Sequence, residues 1–211
     1  MSTTIHEHES LEFVLTPFYR AKTGQPSLVN IPDWPFLMID GQGDPNTSMA
    51  YKDAVEALYS VSYTLKFDFK HRGIGYKVAP LEGLWWSENM LEFSRGRKDL
   101  WHWTMMIAQP KEVTPELVQI ALNEVWHKKK LPGVENMRLE QFHEGLAAQV
   151  LYLGPYTSET ISILALHAFI RDQRGHFHGR VQKHHEIYLS DPNRTAPEKL
   201  KTIIRQPFKL G

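Results

Sequence analysis

The apolar positions of this chain change period several times, and each change marks an element. A short apolar run at Phe36-Leu37-Met38-Ile39-Asp40, stopped by Gly41-Gln42-Gly43-Asp44-Pro45, predicts a strand. Ala50, Ala54, Leu58, Val61 and Leu65 then recur at steps of three or four, with Lys52, Asp53 and Glu56 on the opposite face. This is an amphipathic helix, and Thr47 or Ser48 can cap it. Two strands are predicted next, over 75–86 and 100–109, joined by a charged stretch ending in Arg95-Gly96-Arg97-Lys98-Asp99. Thr114-Pro115-Glu116 opens a second helix, since proline lacks an N–H where none is needed. Lys128-Lys129-Lys130 closes it with cations at the negative end of the dipole, and Leu131-Pro132-Gly133 breaks the chain.

The second half repeats this plan. A strand over 147–153 ends at Gly154-Pro155-Tyr156, and a helix carries Ile161, Leu164, Ala165, Ala168 and Phe169 on one stripe. Arg174-Gly175 ends it, and a strand follows at His184-His185-Glu186-Ile187-Tyr188-Leu189. Thr195-Ala196-Pro197-Glu198 has the form of a capping box and predicts a final helix with Leu200, Ile203 and Ile204 inward. Pro110 and Pro192, Pro115 and Pro197, and Glu116 and Glu198 each stand 82 positions apart. The expectation is therefore a β-α-β-β unit occurring twice, about 35–130 and 137–208, behind a lead-in over 1–34. Short connections favour an antiparallel sheet with helices on one face, an α+β class, with a ligand cleft at the seam between halves.

Composition narrows the function. The 24 Lys+Arg balance 24 Asp+Glu, which argues against an electrostatic nucleic-acid binder. With no cysteine, disulfides, thiolate metal sites and cysteine nucleophiles are excluded. No apolar run reaches membrane-span length, and Met1 to His8 lacks the basic and apolar regions of a signal peptide, so a cytoplasmic protein with no membrane partner is expected. The 6 Trp, 8 Tyr and 10 Phe stand out through their pairing, Trp85-Trp86 and Trp101-His102-Trp103.

His184 to Pro192 followed by Arg194 to Thr202 resembles the C-terminal signature of GyrI-like small-molecule-binding proteins. The stretches 145–156 and 81–86 resemble other blocks of that family. The resemblance implies a duplicated fold whose cleft binds flat, lipophilic, often cationic molecules around a carboxylate in a Glu-x-Tyr strand motif, here Glu186 and Tyr188. It further implies kinship with a stand-alone subfamily that hydrolyses cyclopropane-bearing DNA alkylators of the yatakemycin type within an aromatic cage. No N-terminal DNA-binding helices accompany the domain, so a regulator is disfavoured.

Strand alternation places Glu186 with His184 and Tyr188 on one face and Ile187 and Leu189 on the other. The apolar pair is expected against the helices and the polar set on the open face. The candidate catalytic residues are Glu186, Tyr188 and Tyr152, and the candidate ligand contacts are Trp101, Trp103, Trp86, Trp85, Glu82 and His184. Each has a bland alternative: Glu186 can pair with a neighbouring His or Arg to hold a strand, and Trp101 and Trp103 share a face with Met105 and Ile107 as core residues do. Only one of Trp85 and Trp86 can face a cleft, and Tyr156 can close the helix start instead. Eleven histidines, including His6, His8, His176, His178, His184 and His185, invite a metal, yet none forms a helical i, i+4 zinc pair, so neither metal nor cofactor is expected. The expected partner is a flat, aromatic, lipophilic small molecule, bound by a monomer or homodimer. Two functions follow: hydrolysis of strained cyclopropanes for detoxification, or sequestration of drug-like molecules without turnover.

Overall fold

The computed structural model describes residues 16–90, 93 and 95–211. Ten strands are assigned in them: β1 (Ser27–Ile31), β2 (Trp34–Gln42), β3 (Leu81–Ser87), β4 (Trp101–Ala108), β5 (Arg138–Phe142), β6 (Gly145–Leu153), β7 (Gly175–His176), β8 (His184–Tyr188), β9 (Lys201–Pro207) and β10 (Lys209–Leu210). The helices are α1 (Met49–His71), α2 (Pro115–Lys129) and α3 (Thr160–Asp172). Eight strands form one antiparallel sheet in the order β1-β6-β9-β8-β3-β4-β2-β5. That order is symmetric about the β8–β3 junction, which matches β2-α1-β3-β4 with β6-α3-β8-β9. The class is α+β, and the duplicated unit is visible in the topology.

The helices begin where the caps demand. Ser48 accepts from the Tyr51 N–H, and Thr114 accepts from the Leu117 N–H with Pro115 following. α1 buries Ala54, Ala57, Leu58, Val61, Leu65 and Phe69 on one face. It packs on β2 and β4, while α2 lies against α1 and α3 packs on β6 and β9. No helix of the described residues is long and apolar enough to cross a membrane.

Four expectations need correction. The final helix is a strand: Pro197–Lys199 makes a single 3-10 turn, and β9 follows, buried at every position from Thr202 to Pro207. A central strand covered on both faces loses its alternation, and the capping-box residues at its approach imitate a helix start. The stripe on α3 is also rotated, because Leu166 and Ile170 are buried whereas Ile161 and Leu164 are exposed. The 82-residue spacing lays β4 over β8, but the symmetry of the sheet order makes β3 the counterpart of β8 and β4 the counterpart of β9. Finally, Ser27–Ile31, within the expected lead-in, pairs with β6 as an edge strand.

Candidate functional site

Because α1 sits over β2 and β4, and α3 over β6 and β9, the seam strands β3 and β8 run beneath the gap between them. A cavity of about 1920 Å³ occupies this gap, with Tyr51 and Tyr59 on the α1 side, Ile163 and His167 on the α3 side, and Trp85 and Glu186 on the floor. Glu186 therefore lies on the helix-bearing face, opposite to the expectation. The Tyr51 ring on α1 is 6.0 Å from Trp85, which pairs with His184 in register. The helices diverge over the seam, so a polar set can lie on their side of the sheet without being packed against them.

Gly83 pairs directly with Glu186 across the seam. A Cβ at Gly83 would lie 2.7 Å from Trp85 Nε1, so the bare backbone lets the indole fold across it. The indole N–H then donates to the Tyr188 hydroxyl at 3.0 Å, and Tyr188 hydrogen-bonds Glu186. Gly83→Ala is expected to displace Trp85, costing about 1–3 kcal/mol of stability with a matching change in tryptophan emission. Wild-type emission and melting temperature in that variant would refute this role.

Glu186 gathers two more groups. His184 Nε2 is 3.2 Å from Glu186 Oε1, and the Glu159 carboxyl, from the residue that precedes α3, is hydrogen-bonded to Glu186. Burial, joined by the charge of Glu186, pushes Glu159 up to about 9, while Lys98 pulls the other way. At neutral pH Glu159 thus holds a proton and donates it toward Glu186. Glu159 Oε2 is buried without a protein partner.

Much of the remaining lining around the pair is aromatic, with Lys52, Glu56, Lys77, Lys98 and Asp191 among the charged residues of the cavity. Burial, then the charge of Glu186, raises Tyr188 well above the ordinary phenol value and Tyr156 to about 12. The two rings meet edge to face at 5.7 Å. Burial, followed by the nearby His184, lowers His167 to about 4, and its buried Nε2 has no protein partner. Phe93 stacks on Trp101 at 4.6 Å, and Trp101 meets Trp85 at 5.8 Å. Desolvated aromatic walls around one anionic carboxyl pair favour flat rings, and cations over ring faces.

Of the residues singled out in the sequence, Glu186, Tyr188, His184, Trp85 and Trp101 line the cavity. The other four do not. Trp103 shares the strand and face of Trp101 but stands two residues further along β4, wedged beneath Tyr51 at 5.4 Å and laid across Gly41. Glu82 and Trp86 alternate to the reverse face, where Tyr19 donates to Glu82 at 2.6 Å and Trp86 stacks on His102 at 5.7 Å. Tyr152 donates its hydroxyl to the Pro155 carbonyl at 3.0 Å. Among the described residues no three or more His, Asp or Glu side chains are placed to hold a metal ion, and His6 and His8 lie outside those residues.

Sequence reasoning missed Glu159, Tyr51, His167 and Phe93. Glu159 just before a helix looks like a surface acid favoured by the helix dipole, and nothing local reveals that α3 aims it at the seam.

The GyrI-like small-molecule-binding domain profile matches residues 24–209, nearly the whole chain. The chain belongs to the GyrI-like family. Among solved structures, an uncharacterized conserved protein from Listeria innocua is 35% identical with a TM-score of 0.86, covering 95% of this chain and 99% of that one. A second Listeria innocua protein, described as a hydrolase, is 33% identical with a TM-score of 0.81 over 95% and 99% of the two chains. The C-terminal domain of EcmrR shares the fold at 11% identity and a TM-score of 0.55, covering 89% and 98%. No curated relative matches. As a GyrI-like protein, the chain carries a small-molecule-binding domain, and its cavity lies at the seam of the duplicated fold.

Proposed function

We propose that this GyrI-like protein is a cofactor-free hydrolase that adds water to the strained ring of lipophilic, cyclopropane-bearing DNA alkylators. The observation that carries this reading is the Glu159–Glu186 pair on an aromatic-walled seam, one carboxyl protonated and its neighbour available as base. The 33% identical Listeria protein described as a hydrolase supports a hydrolytic chemistry.

An ionised carboxylate offers about four lone-pair sites. Tyr188, His184 and Glu159 take three on Glu186, which leaves one for a water. In the proposed step the water oxygen bonds to the cyclopropane methylene carbon and passes a proton to Glu186. The ring C–C bond breaks, and its electron pair restores an aromatic phenolate that takes the proton of Glu159. Proton transfer from Glu186 to Glu159 across their hydrogen bond then resets the pair. Stacking on Trp85, Trp101 and Tyr51 fixes the polycycle over the water, so much of the barrier reduction comes from positioning. Tyr188, held by Trp85, keeps Glu186 aimed.

Incubation with a cyclopropapyrroloindole compound, followed by mass spectrometry, tests the reading. The expected product is the ring-opened adduct of one water, formed in many turnovers. Stoichiometric retention of intact compound would replace hydrolysis by sequestration.

A further inference from the structure

Two carboxyl groups in one hydrogen bond, buried in an aromatic-walled cavity with Lys98 beside them, form a device whose protonation depends on what lies over them. We propose that the Glu159–Glu186 pair reads the charge of the bound molecule: a cationic ring system expels the pair's proton on binding, and a neutral ring system of the same shape leaves it in place. The inference rests on the cavity seating a flat ring over Glu186, the same seat used in the reading above.

The neighbours make the pair responsive. Around it stand Tyr188 and His184 from β8, Tyr156 from the turn before α3, His167 from α3, Tyr51 and Tyr59 from α1, and Lys98 from the approach to β4. The tyrosines are held neutral by burial, and His167 is held neutral by burial and His184. Lys98 lies 5.4 Å over the Trp101 ring and leaves Glu159 protonated. A second positive charge, brought by the ligand against both carboxyls, favours their charged forms and offsets the burial and repulsion that keep the proton. The pair then ionises fully and holds the cation by two carboxylates instead of one. A neutral ring supplies no such compensation, and the pair keeps one proton and one charge. Glu159 is thus a specificity-determining residue that lets one cavity accept both charge classes.

Calorimetric titration in buffers of low and high ionisation enthalpy reads the proton directly. N-methylquinolinium and 1-methylnaphthalene, fused two-ring probes of matching shape, are the ligands. Near pH 7 the cation is expected to release about one proton, its affinity rising about tenfold per pH unit between pH 6 and 8. The naphthalene is expected to release none and to bind with flat pH dependence. Glu159→Gln should bind the cation without release. Binding of the cation to the wild-type protein with no proton released, equal release by both probes, or release persisting in Glu159→Gln each overturns the inference. Cyclopropane turnover without proton release removes this inference alone, whereas proton release without turnover removes only the hydrolytic reading.

Discussion

The Glu186→Gln protein is expected to lose cyclopropane-opening turnover by about 10²- to 10⁴-fold while retaining the ligand, the range set by removing a general base. The substitution keeps the shape of the side chain and one oxygen able to accept a hydrogen bond, as Oε1 does opposite His184. It replaces the other oxygen with an amide N–H₂, a donor that cannot take a proton from water. Binding should survive for neutral polycycles because Trp85, Trp101 and Tyr51 supply the contact area. Rates are measured under single-turnover conditions, with affinity followed by quenching of tryptophan emission. Turnover equal to wild type removes Glu186 from the chemistry. Loss of affinity matching the loss of rate assigns the carboxylate to ligand binding alone.

How far that site was legible depends on which interactions fix it. Glu186, His184 and Tyr188 share a face by alternation, and β8 keeps that alternation. Trp85 and Trp86 separate for the same reason. What alternation could not supply is which face the helices cover, since that depends on how far α1 and α3 diverge over the seam. Trp103 illustrates the limit: it shares the strand, face and chemistry of Trp101, yet it sits directly opposite Trp85 and is packed under Tyr51 instead of lining the cavity. Glu159 marks a different limit. Its partner is 27 positions away in sequence and is met only through the packing of α3 on β6 and β9. In the fold, caps and periodicity located α1 and α2, whereas β9 was read as a helix because burial on both faces erased its pattern.

The reverse face explains why the seam holds its shape although α1 and α3 pack to either side of it. Behind Glu186, His185 Nδ1 is 2.7 Å from Glu144 Oε1 and His185 Nε2 is 2.9 Å from Glu82 Oε2. Arg205 on β9 donates to Glu144 at 3.0 Å, to Gln149 on β6, and to the Phe18 carbonyl at 2.6 Å. These four ionic side chains are buried, and two carboxylates balance two cations. Arg205→Met leaves Glu144 short of one cation and is expected to cost about 3–5 kcal/mol, lowering the melting temperature on the order of 10 °C. Adding Glu144→Gln should recover part of this, since Glu82 and His185 remain as a neutral pair. The pH dependence has a defined sign. Burial alone would depress His185, but Glu144 and Glu82 overcome it and raise it from 6.5 to about 9. Its contribution is therefore complete below pH 6.5 and lost as pH rises through 9. Burial alone would raise Glu144, but His185 and Arg205 hold it down from 4.5 to about 2, so its contribution is complete above pH 4.5 and lost as pH falls through 2. Both are whole between pH 4.5 and 6.5. Glu159, raised from 4.5 to about 9, adds a further loss of stability as pH rises. The wild-type melting temperature should accordingly decline from pH 6.5 toward 9, and a flat profile there, or an Arg205→Met protein as stable as wild type, would show that the buried ions do not hold the seam.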